Sequence, residues 1–477
     1  MSLEAEPVTT IGSDAADLSA TELVAAFRAG TVTPEDAYLA VRDRIRRREG
    51  ELNAFYRQDE EQAAAAARAS TLRWARGTPL GPIDGVPLTV KENIARAGVP
   101  LPSGTAGGDP VVPERNAPIV DRILESGGVI LGSTTMPDWG MLSSGVSSLH
   151  GISRSGLDPA LTTGGSSAGA GAAASAGYGP LHVGTDIGGS IRLPGTWLGL
   201  ATLKPSYGRV PLHAPYFGRC AGPIARHAAD LPLFMSVLAQ PDDRDYTQLP
   251  ADPAPWLDLP FDPAGLRVAL HTDPGAGLPV DPEIVAAVTA AAQVFADAGA
   301  QVTRLPAFLD QGRLDDLDRF WRTRSWRSYA ALTGAQKTKV LPFIVQWVSG
   351  GASVSGVETH RCYESIQSLR DTTIAATAPF DLVLSPVAPM AAFPAEYPMP
   401  WGHEDLGMQH IAFTAPYSMS EQPSGTVNCG FTGDGRTIGL QVTGRRFADR
   451  TVLGALSWYE AARPASAAVR WPGAAGR

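Results

Sequence analysis

Lys91, Ser166 and Ser190 carry side chains that can do hydrolytic chemistry, and each stands among small or turn-forming residues. Lys91 lies in GPIDGVPLTVKENI, Ser166 in GGSSAG and Ser190 in GTDIGGSIR. One lysine and two serines can form a hydrolytic centre without a histidine or a metal, because a neutral amine can accept the proton that a hydroxyl nucleophile must lose. Such a centre requires three distant segments of the chain to meet in the fold.

Lys91 alone does not establish a site. It follows the apolar run 86–90 and precedes Glu92, so it is expected at the end of a buried strand. A lysine in that position forms either a structural ion pair, which position alone favours, or a desolvated amine. Burial can lower a lysine pKa by about 3–5 units, and the neutral amine can then act as a base.

Each serine also has an ordinary structural interpretation. Two glycines before Ser190 are typical of a simple turn, but they also allow successive backbone N–H groups to point at one oxyanion. Asp186 and Arg192 flank this turn and are expected to brace it as an ion pair. Ser166 precedes an alanine-rich run that predicts a helix, where glycine and serine are common capping residues.

Two other motifs overlap the first serine and are weak. Residues 165–169 fit the G-x-S-x-G turn of α/β-hydrolases, with His360, His403 or His410 as its partner, but the preceding residues 159–163 are too polar for the buried strand that this turn requires. Residues 169–174 fit the dinucleotide-binding pattern, but it too lacks a preceding strand and the acidic residue expected downstream.

Composition excludes several classes of protein. The 477 residues carry a net charge of −9, which argues against a nucleic-acid partner. The one dense basic run, 44–48, predicts a solvated helix face. No run of 18 apolar residues predicts a membrane span, and the acidic N-terminus does not resemble a secretory signal. Three widely spaced cysteines form no disulfide or zinc pattern, so we expect a cytoplasmic protein with reduced thiols and no metal.

The hydrophobic pattern predicts one large α/β domain, with no clear linker or repeat. Residues 19–76 predict helices with capping boxes at Ser19 and Thr33. Short apolar runs then alternate with helical stretches, which favours a largely parallel sheet covered by helices. The runs predicted as strands are 86–90, 129–131, 181–184, 266–271, 301–305, 381–385 and 437–443. The Pro- and Asp-rich segment 240–263 predicts an excursion over the surface.

Three blocks of this sequence resemble the amidase signature family in order and spacing: GVPLTVKEN, GGSSAG and GTDIGGSIRLPGTWLGLATLKPSYGRV. Weaker likeness covers 18–137 and 381–460, and 240–380 agrees only in general layout. The resemblance implies a single α/β/α domain with a central twisted mixed sheet flanked by helices. Its expected parts are an N-terminal helical segment (1–76), the catalytic core (77–240), a variable and mostly helical region (241–380), and C-terminal strands and a helix that complete the same domain (381–477).

The resemblance also implies residue roles. Ser190 is the nucleophile, Ser166 the proton shuttle after a cis peptide bond, and Lys91 the base. The amides of Ile187, Gly188, Gly189 and Ser190 form the oxyanion hole, and neither a cofactor nor a metal is needed. The expected activity is hydrolysis of C–N bonds in amides through an acyl-enzyme.

Substrate choice is only weakly indicated. Met141 and Leu142 occupy a stretch that lines the acyl pocket in similar enzymes, and Phe217, Met399 and Trp401 are further candidates, although each is equally explained by packing. An apolar, aromatic pocket suits small-molecule aryl or acyl amides, esters and carbamates (urethanase activity). The helical region 311–378 contains no chemical motif, and it forms either a lid or a dimer surface; the oligomeric state, including a homodimer, stays open.

Departures from the family pattern leave alternatives. Ala168 replaces a glycine of the first serine block. Asn428 and Cys429 either alter the pocket floor or, for Cys429, simply place a thiol in the core. The main alternative function is that of the A-type subunit in a glutamine-dependent amidotransferase, which needs partner proteins, although PLHAPYFGRCAGP replaces the serine- and tyrosine-containing run characteristic of such subunits. A catalytically idle scaffold is disfavoured by the intact lysine and serine set.

Overall fold

The computed structural model describes residues 14–472. The first 13 residues of the expected N-terminal segment and the last five of the C-terminal one lie outside the described residues. The strands are β1 Phe55–Gln58, β2 Pro87–Lys91, β3 Val129–Thr134, β4 Val146–Ser147, β5 Gly151–Ile152, β6 Leu181–Asp186, β7 Ala201–Lys204, β8 Cys220–Ala225, β9 Arg267–Leu270, β10 Gln301–Arg304, β11 Leu382–Pro386, β12 Ser424–Phe431 and β13 Thr437–Gly444.

Helices cover both faces of the sheet and fill the segments between strands. They are α1 Ala20–Ala29, α2 Pro34–Leu52, α3 Glu60–Ala75, α4 Pro118–Glu125, α5 Ala168–Ala176, α6 Arg192–Trp197, α7 Asp230–Leu238, α8 Pro282–Asp297, α9 Gln311–Ala330, α10 Gly334–Lys337, α11 Pro342–Ser349, α12 Gly356–Thr377, α13 Ala415–Met419 and α14 Asp449–Ala462. Short 3-10 helices occupy Asp14–Asp17, Asp138–Gly140, Gln409–Ile411 and Ala465–Ala467.

One sheet of 11 strands runs through the molecule in the order β1-β3-β2-β6-β8-β7-β12-β13-β11-β9-β10. The expected mixed α/β/α sheet is confirmed, but the largely parallel sheet expected from the hydrophobic runs is wrong for the middle. The pairs β2–β3, β2–β6, β9–β10 and β9–β11 are parallel. From β6 through β8, β7, β12 and β13 to β11 every pair is antiparallel.

The termini of two neighbouring strands define the part of the fold that matters for chemistry. Every residue of β2 and of β6 is buried, as expected for strands covered on both faces. They pair in parallel, with Val90 opposite Val183, so both end at the same edge of the sheet. Open α/β sheets bind ligands at the carboxyl ends of their parallel strands.

Local sequence signals near the N-terminus behave largely as expected. Both capping boxes, at Ser19 and Thr33, are formed. Two arginines of the basic run 44–48 do not lie on a solvated face. Arg44 is only 6% exposed and donates to Asp17 at 2.7 Å, and the half-buried Arg48 donates to the carbonyl of Gly156 at 3.0 Å. Within residues 14–472, the helices are all too short or too polar to cross a membrane.

Candidate active site

Lys91 is the last residue of β2 and has no exposed surface. Its Nζ lies 2.8 Å from Ser166 Oγ, 3.1 Å from Ser167 Oγ and 3.1 Å from Thr185 Oγ1. Burial lowers the pKa of Lys91 to about 7, and the positive charge of Arg219 acts in the same direction, against Glu92 and Asp186. The amine is therefore poised between its charged and neutral forms near neutral pH.

The three oxygen contacts of Lys91 match the valence of a neutral amine, which has two N–H donors and one lone pair. The single proton of Ser167 is used on the carbonyl of Thr185, so Ser167 Oγ accepts from Lys91. Thr185 Oγ1 already accepts from the side-chain amide of Asn93 and can accept from Lys91 as well. The lone pair of the neutral amine is then left for the hydroxyl proton of Ser166.

Ser166 is held by a backbone that only glycine can form at the preceding position. A Cβ on Gly165 would lie 2.5 Å from the carbonyl oxygen of Ser144 and 2.6 Å from its nitrogen. The Gly165–Ser166 peptide bond is cis. Ser166 is 4% exposed and lines the cavity described below. The backbone N–H of Ser167, at the start of α5, donates to the carbonyl of Ser190 at 3.2 Å. This hydrogen bond joins the two serine segments.

Ser190 lies in the turn between β6 and α6, and a buried ion pair fixes that turn. Asp186 and Arg192 are both fully buried and make two contacts, Nη2 to Oδ1 at 2.9 Å and Nε to Oδ2 at 3.0 Å. Burial acts to raise the pKa of Asp186, but the charge and hydrogen bonds of Arg192, the charge of Lys204 and the Ile191 amide together outweigh burial and keep this pKa below its ordinary value. The expected bracing pair is present in the structure.

The amides of this turn separate into two groups. The Gly189 N–H donates to Asp186 Oδ1 at 2.8 Å, so the structure does not leave it free for an oxyanion, in contrast to the expectation. The amides of Ile187, Gly188 and Ser190 donate to no acceptor among residues 14–472, and all three residues line the cavity. Gly189 has a φ of 128°, which turns the chain between these donors.

A cavity of about 360 Å³ opens in front of both serines. Much of its wall is apolar, and the apolar side chains that form it are Met136, Trp139, Met141, Leu142, Ile187, Leu193, Trp321, Trp347, Met408 and Ile411. Met141 and Leu142, two of the candidate pocket residues, are therefore part of this wall. The cavity has the size of a small-molecule site.

The other three candidate pocket residues do not line the cavity. Met399 is 1% exposed, and its sulfur lies 3.5 Å from the Ser143 amide. Trp401 packs edge-on against His410, whose Nε2 is 2.7 Å from Ser143 Oγ. Phe217 packs against Tyr363 instead of facing the cavity. Met399 contacts Ser143 of the wall directly, and Trp401 contacts it through His410, so these two side chains support the wall without lining the cavity.

Helix α9 supplies a face of the cavity that the sequence did not indicate. Trp321, Arg324, Ser325 and Ser328 line the cavity and recur at the three- and four-residue spacing of one helix face. Trp321 packs over the turn 187–190, since its Cη2 lies 2.8 Å from where a Cβ on Gly188 would stand. Residues 311–378 thus contribute to the cavity. In the sequence, the one indication of this contribution is the three- and four-residue spacing of these side chains, within a helix that is otherwise mostly polar.

The chain matches the model of the Amidase family over residues 36–453 and belongs to that family. An acylamidase from Rhodococcus erythropolis is 31% identical over 457 residues, which cover 94% of this chain and 96% of the relative. The A-type subunit of a glutamyl-tRNA(Gln) amidotransferase from Chloroflexus aurantiacus is 30% identical over 469 residues, covering 91% and 94%. The structure of a bacterial aryl acylamidase of the amidase signature family superposes with a TM-score of 0.86 at 26% identity, covering 94% of this chain and 96% of that one. The family and the fold expected from the three sequence blocks are confirmed, and the chain is an amide-cleaving hydrolase of this family.

Proposed function

We propose that this protein hydrolyses aryl and acyl amides through an acyl-enzyme on Ser190, with Ser166 as proton shuttle and Lys91 as base. The observation that carries the proposal is the contact of a fully buried Lys91 amine with Ser166, in a cavity that Ser190 also lines. A desolvated lysine beside a hydroxyl is a means of activating a serine nucleophile.

The proposed reaction begins with two linked proton transfers. Neutral Lys91 takes the proton of Ser166 as Ser166 takes that of Ser190, and Ser190 Oγ attacks the carbonyl carbon. The amides of Ile187, Gly188 and Ser190 stabilise the oxyanion, and each such donor contributes about 3 kcal/mol in comparable hydrolases. The relay then runs in reverse to protonate the leaving amine, and water hydrolyses the acyl-enzyme.

The apolar cavity wall supports substrates with an aromatic or alkyl group next to the scissile bond. Trp139, Trp321 and Trp347 provide flat apolar surfaces that suit a planar ring. Esters and aryl carbamates fit the same chemistry. An ester would acylate Ser190 with release of its alcohol, and a carbamate would leave a carbonate ester on Ser190 with release of the amine, or a carbamoyl group with release of the phenol. The similarity to an acylamidase and to an aryl acylamidase supports the amide as the main substrate.

A second candidate rests on the 30% identity to the A-type subunit of a glutamyl-tRNA(Gln) amidotransferase. An enzyme of that kind would release ammonia from glutamine and act with partner proteins. The two functions differ in what the isolated chain can do, since a free-standing amidase needs no partner.

The test compares matched anilide, ester and aryl-carbamate substrates, with product release followed by mass spectrometry. The purified wild type is expected to cleave the anilide without partner proteins, and Ser190→Ala is expected to lose activity by up to about a millionfold. Ser143→Ala is the matched control, because Ser143 lines the same cavity but contacts neither Lys91 nor Ser166. Cleavage of glutamine only, and only with added partners, would overturn the free-standing amidase.

A further inference from the structure

The wall of the cavity carries positive charge that the proposed reaction does not use. Arg219, Arg324 and Arg327 line it, and among residues 14–472 no Asp or Glu side chain does. Within the same residues none of the three arginines forms a salt bridge, although most arginines of this chain do. The three arginines therefore share a cavity wall that has no compensating carboxylate among the described residues.

Of the three arginines, Arg219 has the greatest need of an additional hydrogen-bond acceptor. Its Nε is buried and has no hydrogen-bond partner among the described residues, although another of its nitrogens donates to the carbonyl of Ala214. Burial lowers the pKa of Arg219, and the nearby charge of Arg324 lowers it further. A buried charged donor without a partner is costly, so a bound anion would relieve this cost.

The acidic group that acts on Arg219 from a distance does not supply that partner. Asp245 accepts from the Leu212 amide at 2.7 Å and from the Thr247 amide at 2.8 Å, so both of its oxygens are engaged. Arg324 is held over the ring of Tyr216, with 5.1 Å between its guanidinium carbon and the ring centre. The Tyr216 ring thus positions Arg324 beside Arg219 without neutralising it.

We infer that this site takes amides that carry a carboxylate, bound by Arg219 and Arg324, with Arg327 adding positive charge at the mouth of the cavity. The inference rests on the proposed hydrolysis at Ser190 and names its substrate class. The planar guanidinium fork matches a carboxylate in a way that an ammonium does not. The apolar residues near Ser190 hold the part of the substrate next to the scissile bond.

The placement of α9 sets the expected shape of such a substrate. Trp321 packs over Gly188, and Arg324 follows one turn later on the same helix face. That separation is about 4.5 Å along the helix axis. The carboxylate is therefore expected several bonds from the scissile carbonyl, separated from it by an apolar chain or ring.

The experiment measures binding and turnover of one substrate series. Mono-anilides of unbranched dicarboxylic acids with four to eight carbons are each compared with the methyl ketone of the same shape. Binding is measured by calorimetry on Ser190→Ala, which reports affinity without turnover, and kcat/KM is measured on the wild type. We expect the carboxylate to bind at least about tenfold more tightly than the ketone, as for a charge-assisted hydrogen bond, and the preference to fall as salt is added.

Variants then assign the preference to the arginines. Arg219→Gln and Arg324→Gln should each bring the ratio of the two affinities towards one, whereas Arg219→Lys should keep part of it. Arg313→Gln is the matched control, because Arg313 lies on the same helix but pairs with Asp310 and does not line the cavity. Circular dichroism of each variant checks that it is folded.

The outcomes separate this inference from the proposed function. Equal affinity for the carboxylate and the ketone, or a preference that survives Arg219→Gln and Arg324→Gln, would overturn the inference even if both anilides are cleaved. Conversely, a preference seen in Ser190→Ala without turnover in the wild type would sustain the anion site and overturn the proposed hydrolysis.

Discussion

The Nζ of Lys91 lies 2.8 Å from the Oγ of Ser166 in a place without solvent exposure. Because burial lowers the pKa of Lys91 to about 7, the lysine can be neutral where most lysines are charged. In the proposed mechanism this contact activates a serine without histidine, so the protonation state of one amine would control the reaction.

The first prediction concerns the pH dependence of turnover. Only the neutral form of Lys91 can accept a proton, so kcat/KM for a neutral anilide should rise with pH through an apparent pKa of about 7. Initial rates between pH 5 and 9 test this. A profile that is flat across the acid side would contradict a neutral lysine base.

The second prediction concerns stability. The pKa of Lys91 is lowered to about 7 in the folded state, against about 10.4 for an unfolded chain. Between these values the unfolded chain binds one more proton, so raising the pH disfavours unfolding. The free energy of unfolding of the wild type relative to Lys91→Met should therefore rise by up to about 1.4 kcal/mol per pH unit in that window.

Urea denaturation at several pH values measures this difference. Below pH 7 both states of the wild type are protonated at Lys91, so the difference from Lys91→Met should become constant there. A difference that stays constant from pH 7 to 10 as well would show that Lys91 keeps its ordinary pKa. Lys91→Met should be folded and inactive.

The third prediction concerns the ion pair between Asp186 and Arg192, which fixes the turn that carries Ser190. Arg192→Met leaves the buried carboxylate of Asp186 without its partner, so the free energy of unfolding should fall by about 3–5 kcal/mol. Glu125→Gln, which breaks the solvent-facing pair with Arg122, should cost at most about 1 kcal/mol. Similar losses in chemical denaturation for the two variants would refute the structural role of the buried pair.

The fourth prediction tests the contact between α9 and the turn 187–190, which carries the proposed oxyanion donors. A methyl group at position 188 would meet the Trp321 ring at 2.8 Å, so Gly188→Ala should displace the turn and lower kcat by about 10²–10³-fold. Trp321→Phe, combined with Gly188→Ala, should restore part of kcat by removing the colliding ring edge. Gly50→Ala is the control, since nothing lies within 4 Å of the added methyl. Absence of any rescue would argue that Trp321 does not position the turn.

The positions of Lys91, Ser166 and Ser190 at one cavity could be predicted because the signals for them are local. Ser166 and Ser190 each follow glycines, which indicate a turn at that position, and Lys91 ends an apolar run, which indicates the end of a buried strand. The mixed sheet followed from the family blocks, whereas its antiparallel middle did not, because β8 has glycine and proline within it and does not resemble a strand.

The rest of the site depends on contacts between distant segments. Phe217, Met399 and Trp401 have the apolar character of a pocket wall, but side chains of the same kind also support a wall from behind, and sequence does not distinguish the two. Arg324 was missed because its charge is typical of an exposed helix position, which does not suggest a cavity wall. It lies in a helix rich in arginine, where only the absence of an acidic partner in three dimensions, among the residues described, makes it unusual.

The most direct test of the mechanism is the identity of the acylated residue. The wild type is quenched in acid during turnover of an aryl ester, digested with trypsin and fragmented by mass spectrometry; residues 155–192 form one peptide that contains both Ser166 and Ser190. We expect the acyl group on Ser190 and none on the peptide of Ser190→Ala. An acyl group on Ser166, or an equal burst of product from Ser190→Ala, would contradict this expectation.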